Sequence, residues 1–399
     1  MKKNLFALAA LLAAGSAFAQ SDNSVTLYGV ADAYVGSKSV YQYSGYDPVS
    51  TFFTATKVRQ AVVNSGGLSP SRIGVRVQEN LGNGLSAFAN FENEINLDTG
   101  SSNGARTSVV GLKTTIGSFA LGRQASSYHD AYLSVNAQGE SAFGAANGLP
   151  LSANAMLQVT AFRACQADPV CVADPGAATL QANTINTINN EGYAGRTGAW
   201  VGHQARFSNS LRYDSPDFNG FNVSATVGLG ENKTATSSAT TNGAISLNYG
   251  NGPLALSLAH QVEAQQVGAP IALPGSGTLI SIMPAGSSIK LKNTLLGGSY
   301  DFGVVRVHAG YNVASYNIAN VANQHEYLLG AVVPLGAWTL VGQYAHSSGN
   351  SLSKSTSVGL EAQYALSKRS TLYAAVNDSK LPSTSYRNNT IGFGMRHVF

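Results

Sequence analysis

The chain has 399 residues, a formal charge of +4, a mean hydropathy of +0.00 and only 11% charged residues, against about 25% in ordinary soluble domains. So little charge argues against a soluble globular protein, and neutral hydropathy argues against a bundle of membrane helices. No basic stripe is available to neutralise phosphates, which argues against nucleic acid as a partner.

The N-terminus reads as a secretory leader. Lys2 and Lys3 form a positive start, Leu5 to Ala14 an apolar run, and Ala17-Phe18-Ala19 a small-x-small cleavage site. The run is too short to remain as a membrane anchor. Residues 1–19 are therefore excluded from the fold, leaving residues 20–399 as one domain with a formal charge of about +2 once the two lysines are gone. Beyond residue 19 no stretch approaches the roughly 18 apolar residues of a spanning helix.

What recurs instead is a segment of about ten residues with period-two alternation, closed by a turn. From Ser71 to Glu79, Arg72, Gly74, Arg76 and Gln78 share one face, and Ile73, Val75 and Val77 the other. A strand sends successive side chains to opposite faces, so charge and hydrocarbon separate cleanly. The partner segment after Leu81-Gly82-Asn83-Gly84 carries Glu92 and Glu94 on one face. The alternation returns at Phe221–Leu229, Ser357–Leu366 and Thr390–Phe399. In a lipid barrel the apolar face is the outside and the polar face lines water.

Short turns are expected at Leu81–Gly84, Ile116–Ser118, Ser215–Gly220, Tyr249–Pro253, Tyr300–Gly303, Pro334–Ala337 and Ser367–Ser370. Long Gly-, Ser- and Asn-rich connections are expected near 37–70, 98–105, 125–202, 231–241, 264–290, 314–323, 347–355 and 380–388. This asymmetry predicts an all-β transmembrane antiparallel barrel of about sixteen strands, with short periplasmic turns and long external loops. The third long loop, about 125–202, is expected to fold inward and narrow the channel, with an external cap as the alternative. Within it Cys165 and Cys171 face an oxidising compartment after export, so a disulfide closing the short loop is expected, two free thiols being the alternative.

Arg72 and Arg76 sit on the polar face, where they attract anions and orient polar solutes; structural ion pairing with Glu92 or Glu94 is the competing reading. Arg206 shares parity with Ser208, Ser210 and Arg212, and Arg123 with Phe119 and Leu121. Asp32, Glu92, Arg212 and Glu361 are expected to face the lumen. Asp130 and Glu140, with Asp168, Asp174 and Glu191 farther along, are candidates for an acidic counter-wall that would set up a transverse field. Tyr28, Tyr213, Tyr249, Tyr300, Trp338, Tyr344 and Tyr373 suit interfacial girdles. Tyr41, Tyr43 and Tyr46 are placed in the first loop. No HExxH spacing or Cys/His cluster points to a metal or a cofactor. A barrel lipase using scattered serines with His260, His308 or His346 has no nucleophile set beside a base. An adhesin or receptor acting through its loops is the other alternative.

The chain resembles the general porin family of β-proteobacteria over essentially its full mature length. The resemblance is carried by Ser24-Val25-Thr26-Leu27-Tyr28-Gly29-Val30-Ala31-Asp32, Ser71-Arg72-Ile73-Gly74-Val75-Arg76, Glu79-Asn80-Leu81-Gly82-Asn83-Gly84-Leu85, Asn96-Leu97-Asp98-Thr99-Gly100, Gly117-Ser118-Phe119-Ala120-Leu121-Gly122-Arg123-Gln124, Asn209-Ser210-Leu211-Arg212-Tyr213-Asp214-Ser215-Pro216 and Tyr364–Tyr373, with the terminal Met395-Arg396-His397-Val398-Phe399. It departs at Val77, where the family has Gly, at Asn80, where it has Asp, and in a longer third loop. The resemblance implies a sixteen-stranded barrel and a homotrimer in outer-membrane lipid and lipopolysaccharide. It also implies a constriction of barrel arginines facing the third loop, and recognition of Phe399 by the outer-membrane assembly machinery. Arg106 matches a family arginine, so Arg72, Arg106 and Arg206, with Arg76 nearby and Arg123 beyond, are taken as the basic wall. The implied activity is passive diffusion of ions and small hydrophilic solutes, mildly favouring anions.

Overall fold

The structure is a computed structural model and describes residues 23–47, 52–148, 152–190, 198–235, 237–284, 286–318, 321–349, 355–380 and 386–399. The leader expected over 1–19 and the candidate carboxylate Glu191 lie outside the described residues. The strands are β1 (Ser24–Asp47), β2 (Phe52–Ser65), β3 (Arg72–Gly82), β4 (Leu85–Ile95), β5 (Ser102–Thr114), β6 (Gly117–Ala125), β7 (Arg206–Asp214), β8 (Phe221–Leu229), β9 (Thr241–Asn251) and β10 (Leu254–Gln266). They continue as β11 (Ile271–Ala272), β12 (Leu279–Ile280), β13 (Ser288–Asp301), β14 (Arg306–Tyr316), β15 (Gln324–Leu335), β16 (Trp338–Ser348), β17 (Ser355–Ala365), β18 (Ser370–Lys380) and β19 (Arg387–Val398).

Every strand except β11 and β12 belongs to one antiparallel sheet of 17 strands that closes on itself where β1 meets β19. The first half of β1 pairs with β3 and the second half with β2, so β2 and β3 lie end to end and share one position. The barrel therefore has sixteen positions. Its seam is finished by the C-terminus: Gly29 N–H donates to Phe399 O at 2.9 Å, and Phe399 N–H to Gly29 O at 3.1 Å.

Burial is inverted relative to a water-soluble fold. On β19 Ile391, Phe393 and Met395 are exposed, while Asn388 and Thr390 are buried. On β17 Leu360 is exposed, and Ser355, Ser357 and Glu361 are buried. The alternation of each segment places these residues, and the exposed apolar band is the surface that lipid covers. All seven expected short turns fall between paired strands. At the first, Asn83 and Gly84 both hold positive φ (50° and 75°), the backbone that a tight hairpin needs to match strand twist.

Two expectations about the first hairpin are corrected. Residues 37–70 are not a loop: β1 runs on to Asp47, and β2 returns from Phe52. Tyr41 and Tyr43 thus lie in a strand, with Tyr41 stacked on Tyr386 at 4.5 Å. Above the lipid neither face must be apolar, so the alternation that marks a strand in sequence is lost there.

Between β2 and β3, residues 66–71 step out of the sheet into the lumen around Asp32. Its carboxylate accepts from the N–H groups of Gly67, Leu68 and Ser69 at 3.0, 2.9 and 3.0 Å, and from the Tyr373 hydroxyl at 2.5 Å. Asp32 has no exposed surface, and these four donors replace its hydration. Gly67 tolerates no side chain, since a Cβ there would meet the Tyr373 hydroxyl. Asp32 therefore points inward as expected but is not a water-facing charge. Tyr373 is also inside, not in a girdle, and so is Tyr28, whose hydroxyl donates to Asn90 Oδ1 and Glu92 Oε2. Tyr300, Trp338 and Tyr344 do lie on the outer surface.

The third loop crosses the lumen and also forms a separate helical part. After β6 it enters as α1 (Ser127–Val135), capped by Ser126 Oγ accepting from His129 N–H at 3.1 Å. Tyr128, Tyr132, Val135, Trp200 and Phe207 cluster against Leu295 and Leu328 of the opposite wall. Phe143 packs on Tyr34 with ring centroids 5.1 Å apart, and its carbonyl accepts from Asn377 Nδ2 at 3.1 Å. The rest forms α2 (Ala153–Ala167), α3 (Pro169–Ala173) and α4 (Gly176–Asn190).

Candidate functional site

The loop fills one side of the lumen, so the charged residues collect on the other, between α1 and the wall β3 to β7. On β3, Gly74 lets the Tyr28 ring lie across the strand, because a Cβ would strike it. Arg76 sits over that ring at 4.8 Å. Arg72 donates to Pro70 O at 2.9 Å and lies 3.5 Å from Glu92.

Arg106, from β5, is the centre of the arrangement. Its three guanidinium nitrogens meet three carboxylates: Glu92 at 2.9 Å, Glu94 at 3.1 Å and, from the loop, Glu140 at 2.7 Å. Glu140 Oε1 also receives Arg206 at 3.2 Å and lies 3.4 Å from His129 Nε2. These neighbours outweigh the burial that disfavours its charge, and hold the Glu140 carboxyl well below the usual carboxylate range. Behind it His129 Nδ1 is 2.9 Å from His203 Nε2. His203 stands edge-on to Tyr128 and Tyr132. Burial, then the neighbouring His129, push its pKa well below the ordinary value.

Arg212 binds Asp214 at 2.7 Å and Asp130 of α1 at 2.6 Å, a second clamp between loop and wall. Two cavities flank the clamps. One of about 350 Å³ is lined by Leu68, Arg72, Glu140, Glu361 and Arg396, the other, of about 310 Å³, by Arg76, Asn90, Lys113, Gln124, Arg212 and Asp214.

Several expectations change here. The acidic counter-wall does not stand across a gap: Glu140 and Asp130 dock directly onto arginines, so the separated charges of a transverse field are largely joined as ion pairs. Arg72 is paired with Glu92, as the competing reading had it, whereas Arg76 lies over Tyr28 with no ion pair among the described residues; Arg106, outside that reading, also meets Glu92. Arg206 reaches Glu140, but not by parity with Arg212. A bulge at Ser208–Asn209, where Asn209 has φ 50°, interrupts the strand and turns Phe207 into the interior. Arg123 donates to Ala105 O at 2.6 Å and Ser208 Oγ at 2.8 Å, and makes no ion pair among the described residues. Glu361 is covered by the loop, accepting from Gln138 at 3.1 Å and Gln363 at 2.8 Å. Asp168 and Asp174 are far from the clamps and cap helices, accepting from Val170 and Gly176 N–H. Cys165 and Cys171 are joined in a disulfide. Sequence reasoning misses His129, His203, Lys113 and Arg396. Arg396 is legible, since it alternates with Gly392 and Gly394 on the polar face, whereas nothing in sequence joins His129 to His203.

A sixteen-position barrel, apolar outside and charged within, with a loop drawn across its lumen, defines a transmembrane pore. Comparison with known proteins makes the class specific. The sequence model of the Gram-negative porin family matches residues 6–382, and the chain belongs to that family. Among curated relatives, outer membrane porin protein 32 of Delftia acidovorans is 28% identical over 385 residues, covering 94% of this chain and 88% of that protein. An outer membrane porin protein of Bordetella pertussis is 26% identical over the full length of both. Among solved structures, the anion-selective porin from Comamonas acidovorans superposes with a TM-score of 0.66 at 23% identity, covering 95% of this chain and all of that one, which supports the fold. The protein is an outer-membrane diffusion porin of a Gram-negative bacterium.

Proposed function

We propose that residues 1–19 are removed on export and that the mature chain assembles as a homotrimer of general diffusion pores for ions and small hydrophilic solutes, with a mild preference for anions. The observation that carries the preference is the charge balance of the constriction. Arg72, Arg76, Arg106, Lys113, Arg123, Arg206, Arg212 and Arg396 stand against Glu92, Glu94, Asp130, Glu140, Asp214 and Glu361, eight cations against six anions. A small net positive charge in a narrow water path concentrates anions modestly and excludes few cations outright. The anion-selective title of the Comamonas acidovorans porin accords with this sign. Phe399, hydrogen-bonded at the seam, is the proposed recognition signal for the assembly machinery, and lipid with lipopolysaccharide is the proposed surround of the apolar band.

Reconstitution into planar bilayers tests the reading. Conductance steps in groups of three support a trimer of pores, and a folded protein without conductance refutes the pore. The reversal potential in a salt gradient then reads the sign of selectivity.

A further inference from the structure

The part of the third loop that does not enter the lumen spans the mouth of the barrel. The N-terminus of α2 is held by β10 and β13, where Ala153 N–H donates to Gln265 Oε1 at 2.7 Å and Ala153 packs with Val267 and Ile289. Farther along, Ala161, Cys165, Cys171 and Leu180 pack on Leu273, in the connection that carries the β11–β12 hairpin. From there α4 runs to the first hairpin. Asn189 Nδ2 donates to Tyr43 O at 2.9 Å, Tyr43 N–H donates to Asn189 Oδ1 at 3.1 Å, and Ile188 is buried beside Tyr43. The anchors therefore sit at positions one and two on one side and nine and ten on the other. In a ring of sixteen these are half a circumference apart. Thr184 Oγ1 donates to Gln158 O and Ala161 shares a core with Leu180, so α2 and α4 pack antiparallel with Ala153 and Asn189 at the same end of the pair; that end bridges the mouth, and the Cys165–Cys171 corner stands at the other, against Leu273.

The dimensions make this consequential. Strands about 4.8 Å apart and tilted about 40° give a sixteen-strand barrel a diameter of about 30 Å. The 15-residue α4 is about 22 Å long, and two packed helices are about 20 Å wide. Inward-pointing wall side chains take up part of that backbone-to-backbone diameter, so a helix pair of this width, with one end bridging opposite walls, obstructs much of the way in. Residues 153–190 carry only Arg163, Asp168 and Asp174 as charges, so the span discriminates by size and hardly by charge.

Such a span needs bracing. Helices of 15 residues are marginal alone, and the core beneath α2 and α4 is small. The Cys165–Cys171 bridge, six residues apart and fully buried, closes the α2–α3 corner that packs against Leu273.

We propose that α2, α3 and α4 form a disulfide-braced outer size filter, a specificity-determining element in series with the arginine constriction. It rests on the pore reading above. The test uses two variants of the full chain reconstituted in liposomes. In one, residues 153–190 are replaced by a short Gly/Ser linker. In the other, Cys165→Ser, Cys171→Ser and Asn189→Ala release the corner and the far anchor without shortening the chain. Swelling rates are measured with uncharged sugars from mono- to tetrasaccharide, and reversal potentials in parallel. The ratio of tetrasaccharide to monosaccharide entry should rise several-fold in the linker variant and less in the triple variant, with the reversal potential unchanged. An unchanged ratio in either variant, in protein that still forms heat-resistant oligomers, overturns the filter. A shift of reversal potential without a change in the ratio overturns it as well. If the linker variant does not fold, the triple variant decides. Wild-type protein that neither conducts nor swells liposomes would instead defeat the pore reading, so the two failures are distinguishable.

Discussion

Glu140→Gln isolates one charge of the clamp between loop and wall while keeping side-chain volume and one acceptor oxygen. In the wild type that carboxylate takes Arg106 at 2.7 Å and Arg206 at 3.2 Å. Arg106 keeps Glu92 and Glu94 after the change, so the guanidinium is not stranded and the loop has reason to stay docked. Net charge at the site then becomes more positive by one unit. A unit charge about 7 Å from the ion path contributes about 0.6 kcal/mol in water, and screening at 0.1 M salt halves that to about 0.3 kcal/mol. Anions are enriched and cations depleted by about 1.6-fold each, so the anion-to-cation permeability ratio should rise about threefold. Reversal potential in a tenfold potassium chloride gradient measures it directly. If the ratio stays at the wild-type value while conductance and oligomer stability are unaltered, Glu140 does not face the ion path and the charge balance argued above is wrong.

Arg72→Ala with Arg206→Ala should move the reversal potential the other way, toward cations; no movement would remove both from the constriction. Asp32→Ala leaves four buried donors without an acceptor and should cost about 4 kcal/mol, read as a lower temperature of oligomer collapse on semi-native gels, with Tyr373→Phe costing about 1 kcal/mol. An unchanged collapse temperature for Asp32→Ala would show that the lumen step at 66–71 does not depend on it. Acid should loosen the docked loop through His203. Its folded pKa lies below the unfolded value of about 6.5, so the unfolded loop binds more protons, and stability falls by up to about 1.4 kcal/mol per pH unit below that value. Glu140 does not share this window: its depressed pKa contributes stability above the ordinary carboxylate range, which is lost only at lower pH. Closures or excess channel noise should therefore increase between about pH 6.5 and 4.5 and be reduced in His203→Gln; an identical acid response in the variant would acquit His203.

The barrel was legible wherever lipid forces one face to be apolar. Phe221–Leu229 and Ile391–Phe399 could be assigned from alternation alone, and every short turn follows from the same constraint. Above the lipid that force vanishes, which is why β1 and β2 beyond Ser37 read as loop. Parity also located inward arginines on regular strands, Arg72 and Arg76 among them, but failed at β7, where the Ser208–Asn209 bulge changes the face. For Tyr28 and Tyr373 residue type suggests a girdle but parity points inside: Tyr28 alternates with the exposed Leu27 and so points inward. The direct docking of Glu140 on Arg106 and Arg206, and of His129 on His203, joins residues 34, 66 and 74 apart. No local pattern encodes such pairs; they exist only because α1 is laid against the wall.

The step between β2 and β3 has a consequence for the order in which a working channel can be made. The surface that receives Phe143 is composed of Tyr34 from the first strand, Gly392 from the last and Asn377 from the one before it. The step itself is tied by Asp32 of β1 to Tyr373 of β18. Gly392 and Asn377 are already neighbours within the β18–β19 hairpin, but Tyr34 joins them, and Asp32 joins Tyr373, only once the first and last strands have zipped together. The loop's resting place is thus a product of ring closure, and an open sheet offers it no seat. Constriction and closure are in this sense one event: a barrel still gaping at its seam has no properly narrowed lumen, and narrowing the lumen helps to hold the seam shut.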